Sequence, residues 1–158
     1  MYIEKYWENY IGGTDDSLTL LEYLADKQKE EISLGEIISD TGLDKLHSFK
    51  KTDVSLETDA DGMGGEIHYA IDLITDLAAL LLECKVSGSV KLSDLWEDIE
   101  PDGTICITAT PEEHQLINKA LMDFVAEPLS YDLCEMVPEE DMLEMAAVCE
   151  EVRKELYE

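Results

Sequence analysis

The stretch "EIHYAIDLITDLAALLLEC", residues 66–84, decides the fold. Ile67, Ala70, Ile71, Ile74, Leu77, Ala78 and Leu81 recur at helical spacing, and Leu73, Leu80 and Leu82 fill the remaining faces. A helix that is apolar nearly all round belongs at the centre of a domain. His68, Asp72, Asp76 and Glu83 interrupt the run, so it reads as a core post and not as a membrane span. A chain of 158 residues with 45% hydrophobic residues can bury a sizeable core as one domain, here residues 1–158.

Weaker helical patterns lie on the N-terminal side of the post. Tyr2, Ile3, Tyr6, Trp7, Tyr10 and Ile11 share one helix face, which Gly12-Gly13 ends. Thr14, Asp15 and Asp16 offer caps for a helix reaching about residue 29, with Leu18, Leu21, Leu24 and Ala25 inward. A third helix over 33–40 presents Leu34, Ile37 and Ile38, and Gly42 closes it before a short turn with Leu43 and Leu46. Residues 48–65 are polar and lack sustained periodicity, with a weak strand signal over 49–56.

On the C-terminal side, residues 86–90 read as a turn and 90–96 as a short helix capped by Ser93. "EPDG" at 100–103 is a turn, and "TICITAT" at 104–110 alternates as a strand does. Thr110-Pro111-Glu112-Glu113 combines an N-cap, a proline at the first helical position and a capping-box glutamate. That helix runs to about residue 127 on Leu116, Ile117, Ala120, Leu121, Phe124 and Val125, and Pro128 stops it. A last helix opens at Pro138-Glu139-Glu140-Asp141, with a seam of Met142, Met145, Cys149, Val152 and Leu156. The expected fold is mainly α: a single-domain bundle of about six helices with one or two short β-strands.

Charge narrows the function. The chain has 38 acidic and 11 basic residues, net −27. The excess is spread over both halves: 19 acids against 8 bases in residues 1–91, and 19 against 3 in residues 92–158. Such a field repels nucleic acid and anionic membrane and favours a basic protein partner. Cys84, Cys106, Cys134 and Cys149 have no CxxC spacing, which fits reduced thiols, and "MYIEKYWENY" lacks the layout of a secretory signal. A cytoplasmic location follows as the expectation. Nothing in the sequence sets the oligomeric state.

Chemistry is hard to find. "ETDADGMGGE", residues 57–66, places Glu57, Asp59, Asp61 and Gly62 at the first, third, fifth and sixth positions of a calcium loop. The closing position falls on His68, which cannot be a bidentate carboxylate. The glycines have no lysine beside them for phosphate. The segment reads as an acidic loop, and Asp59 and Asp61 could reach into a basic cleft. His68 and Asp72 are four apart, as in half a metal site or an acid–base pair, with no third group signalled. No GxSxG, HExxH or GKS/T pattern occurs. The expectation is no catalysis, no metal and no cofactor. In "LSDLWEDIEPDG", residues 92–103, one large ring stands among five acids. Asp94, Trp96, Glu97, Asp98, Glu100 and Asp102 are therefore the expected partner-binding residues, although Trp96 serves equally well to close the core.

The chain resembles the small, acidic, cytosolic immunity proteins of bacterial polymorphic toxin and contact-dependent growth inhibition systems. Its size, its acidity, "YWENYIGG" (6–13) before a Leu-rich helix, and "WEDIEPDG" (96–103) carry that resemblance. It implies a role and not a particular structure: a non-catalytic inhibitor that binds and neutralises a cognate toxin. The acidity of the chain makes the expected toxin domain a basic one, a nuclease whose positive cleft accepts carboxylates in place of phosphates through an acidic surface. The alternatives are a DNA-mimic inhibitor of the anti-restriction type and an acidic adaptor without catalysis.

Overall fold

The computed structural model describes residues 1–7, 11–46, 48–50, 56–57 and 66–158. The chain starts with one 3-10 turn, Tyr2–Lys5, and not with the expected helix to Gly12. Ile3, Tyr6, Trp7 and Ile11 are nevertheless buried, while Tyr10 lies outside the described residues, and Trp7 and Ile11 form a parallel β-bridge. Gly12 makes this possible. Its φ is +85°, and a Cβ there would lie 2.2 Å from the Trp7 ring, so no other residue fits.

Helix α1, Asp15–Lys27, opens on a capping box between Thr14 and Ser17. Its buried face is Leu20, Leu21, Tyr23, Leu24 and Ala25; Leu18, expected inside, lies 37% exposed. The face is shifted because Asp16 and Ser17 are themselves buried against the core. Strand β1, Glu31–Ser33, leads into α2, Leu34–Thr41, whose N-cap Ser33 accepts the Glu36 N–H. Gly42 in the left-handed region ends it, and a 3-10 turn, Leu43–Lys45, follows. Strands β2, Leu56–Glu57, and β3, Glu66–Ile67, pair antiparallel. Most of the 49–56 strand expectation and the glycines of the 57–66 loop lie outside the described residues.

The core post is α3, Ala70–Ser87, starting four residues later than the periodicity suggests because Glu66–Ile67 is a strand. Every residue from Ala70 to Glu83 is buried. Strand β4, Val90–Lys91, is followed by α4, Leu92–Leu95. Ser93 is not its cap: Ser93 donates its N–H to Asp102 Oδ1 at 3.0 Å, so the acceptor comes from across the turn. Strand β5, Thr104–Thr108, lies between β1, in parallel, and β4, antiparallel, which gives a sheet order β1-β5-β4. The strands are thus more numerous than expected, though all are short. Helix α5, Pro111–Ala126, carries the capping box of Thr110 and Glu113. Two 3-10 turns, Pro128–Ser130 and Asp132–Glu135, lead to α6, Glu139–Tyr157. Helices α5 and α6 pack on α3 with the small sheet, and the fold is mainly α as expected. No described helix is long and apolar enough to cross a membrane.

Candidate functional site

The 92–103 segment is a closed turn standing on the β4–β5 pair. Leu92 donates its N–H to Gly103 O at 2.9 Å, Trp96 to Leu92 O at 3.1 Å and Ile99 to Trp96 O at 3.1 Å. Leu92, Leu95 and Ile99 point inward and are buried. That alternation leaves Asp94, Glu97, Asp98, Glu100 and Asp102 exposed on one small surface. Trp96 is half-buried and packs against the core, so much of its ring closes the domain. Asp102 differs from its neighbours. Its Oδ1 accepts the N–H groups of Ser93 and Gly103, at 3.0 and 2.8 Å. Although burial opposes it, these bonds hold the carboxyl below the usual carboxylate range. A groove of about 610 Å³ beside the turn is lined by Leu24, Leu92, Ile105, Lys29 and Asp102, among others. Asp59 and Asp61 lie outside the described residues, so nothing places them next to this turn.

A second set of carboxylates escapes sequence reasoning. Asp72, Asp76 and Glu83 lie on α3 and Asp16 on α1, and all four are buried. Each of three receives backbone donors from a distant segment. Glu83 accepts the Tyr2 N–H at 3.1 Å. Asp76 accepts the Gly12 N–H at 3.0 Å and the Ser17 hydroxyl at 2.6 Å. Asp16 accepts the N–H groups of His68 and Tyr69, each at 2.9 Å. The carboxylates thus stitch residues 2–17 to the central helix, and buried polar groups obtain the partners they need. Burial pushes the Asp72 carboxyl up to about 8, with Asp76 and Asp16 adding repulsion. Burial also pushes Asp76 up to about 7, against the hydrogen bonds from Ser17 and Gly12. The signal was present in the sequence: acids at spacings of four and seven in a helix apolar all round need internal partners.

Carboxyls titrating near neutrality mark many active sites. These two do not present themselves to a substrate, because Asp72 is only 4% and Asp76 only 1% exposed. His68 and Asp72 do not share the helix face that their spacing suggests. His68 precedes α3 and is exposed, while Asp72 points into the core. Among the described residues no group of three or more His, Cys, Asp or Glu is arranged to hold a metal.

The family model described as Immunity protein 68 matches residues 2–156, from the first 3-10 turn to the last turn of α6. The chain belongs to that family. No curated protein and no solved structure matches it. Membership of an immunity protein family carries toxin neutralisation, achieved by binding a cognate toxin, and such families are in general non-catalytic. In an immunity protein the two carboxylate sets divide naturally. Asp76 and Glu83 on α3 bind the protein's own backbone, and Asp94, Glu97, Asp98 and Glu100 of the 92–103 turn are exposed.

Proposed function

We propose that this chain protects its host by binding the catalytic domain of a basic, nuclease-type toxin, with the acids of the 92–103 turn entering the positively charged cleft. The supporting observation is the outward display of Asp94, Glu97, Asp98 and Glu100 on a turn whose apolar side chains hold it to the core. A cleft built for phosphates presents lysines and arginines, and carboxylates held on a firm turn offer them the same charge. The net charge of −27 extends this attraction beyond contact distance and speeds capture. The part of Trp96 that stays exposed adds an apolar contact beside the acids. Asp59 and Asp61 add negative charge from the 57–66 segment. No cofactor takes part in this reading.

The test is a nuclease assay of the cognate toxin domain, with and without the purified protein. Stoichiometric loss of nucleic-acid cleavage supports the reading. Undiminished cleavage in a stable complex, or a toxin with another activity, contradicts its nuclease element.

A further inference from the structure

The most uniformly acidic part of the chain is not the turn. Between Ala120 and Val152 there are ten Asp and Glu residues and no Lys, Arg or His. The same stretch contains four of the large apolar side chains left exposed: Met122 at 50%, Leu129 at 43%, Met136 at 72% and Leu143 at 54%. Such side chains are costly to leave in water when clustered, and a cluster with a polar rim marks a contact surface.

The packing brings them to one end of the α5–α6 seam. His114 meets Tyr157, with Nδ1 and Oη 3.0 Å apart, and Arg153 donates to Asn118 Oδ1 at 3.3 Å. The two helices therefore run antiparallel. Continuing that register carries Met122, and then the 3-10 turn with Leu129, towards the N-terminal half of α6, where Leu143 lies. That 3-10 turn packs on both α5 and α6, and the Asp132–Glu135 turn packs on it in turn. Met136 immediately follows the latter, two residues before the Pro138 cap of α6. On the α5 side, Lys119 and Lys50 neutralise Asp123 and Glu127, each at 2.8 Å. At the start of α6, Glu139 and Glu140 are exposed and, among the described residues, make no ion pair.

We propose that this end of the α5–α6 seam, centred on Met122, Leu129, Met136 and Leu143, is a docking surface for the cognate toxin domain, which meets it with apolar side chains set among lysines and arginines. The apolar centre supplies desolvation and the acidic rim selects the partner. A second copy of this chain is disfavoured, since it would bring the exposed Glu139 and Glu140 and the surrounding acidic excess against their own copies. Nucleic acid and anionic lipid are repelled for the same reason. The inference rests on the toxin-binding reading but not on the 92–103 turn, which is a separate surface.

The experiment measures the affinity of the cognate toxin domain for four proteins: wild type, the double variant Met136→Ser/Leu143→Ser, Glu139→Gln/Glu140→Gln, and Val86→Ser. Val86 is 52% exposed but lies outside the surface, and serves as the control. Circular dichroism and melting temperature confirm that all four fold alike, as exposed positions allow. Expected are a loss of at least about tenfold for the serine double variant, mainly through faster dissociation, a slower association for the glutamine variant, and wild-type behaviour for Val86→Ser. Equal affinity of wild type and the serine double variant overturns the surface and leaves the toxin-binding reading standing. No binding by wild type removes both. Sedimentation showing a wild-type dimer that the serine double variant abolishes also overturns the proposal, by assigning the surface to self-association.

Discussion

The protein puts carboxylates to opposite uses in two regions. On α3 and α1, Asp16, Asp72, Asp76 and Glu83 are buried, and Asp16, Asp76 and Glu83 accept backbone N–H groups from distant segments. On the 92–103 turn, Asp94, Glu97, Asp98 and Glu100 are exposed, held there by the buried Leu92, Leu95 and Ile99 between them. The difference teaches that acid count alone does not locate an interface. Buried acids cost desolvation and are kept by the donors they satisfy. Exposed acids cost the fold little and remain available to a partner.

The largest effect is expected where the buried set meets the chain's tightest approach. Gly12→Ala forces a Cβ into the Trp7 ring at a positive φ and displaces the N–H that Asp76 accepts. The expected loss is about 2–4 kcal/mol of stability, read by chemical denaturation. An unchanged midpoint would remove the N-terminal segment from the core.

Asp72→Asn should act in the other direction. The folded-state carboxyl titrates near 8 instead of its ordinary 3.8, so protonation favours folding. Its contribution is fully present below about pH 4 and is lost as pH rises towards 8, and Asp76 shares this trend with its value near 7. The amide variant should therefore melt higher than wild type at pH 8, by on the order of 2 kcal/mol, with the gap closing near pH 4. A gap that stays constant across that range would contradict the burial account.

Asp102 lies between the two classes, exposed yet bonded to Ser93 and Gly103. Asp102→Ala should lower the melting temperature slightly, by less than either change above, as the loss of an exposed cap does. A larger cost would mean that the turn is integral to the core.

The legible parts of this molecule are those written locally. Thr110-Pro111-Glu112-Glu113 states the start of α5 within four residues, and the structure forms that capping box. Ser33 and Gly42 bracket α2 in the same way. The central post was legible from its apolar run, but its N-terminal boundary was not, because β3 exists only through pairing with β2. Strand β1 shows no period of its own; it is made by β5, through pairs such as Ile32 with Ile107. The N-terminal aromatics fit a helix by spacing, yet of these Tyr6 and Trp7 are buried without one, beside the Trp7–Ile11 bridge and the positive φ of Gly12, while Tyr2 is exposed. For the candidate site, the acids of 94–102 were legible as a cluster, and the structure exposes all five of them. The half-burial of Trp96 and the role of Asp102 as an internal acceptor were not legible, since both depend on groups brought close by folding.

The central claim is that exposed acids of the turn capture a basic toxin domain. Its most direct test is the association rate with that domain, measured by stopped flow across a salt series, for wild type and for Asp94→Lys/Glu97→Lys/Asp98→Lys. The account predicts that the variant melts like wild type, associates about tenfold more slowly at low salt and shows a shallower dependence on ionic strength. Equal rates at low salt would contradict it, and would leave these acids as solvation of the fold.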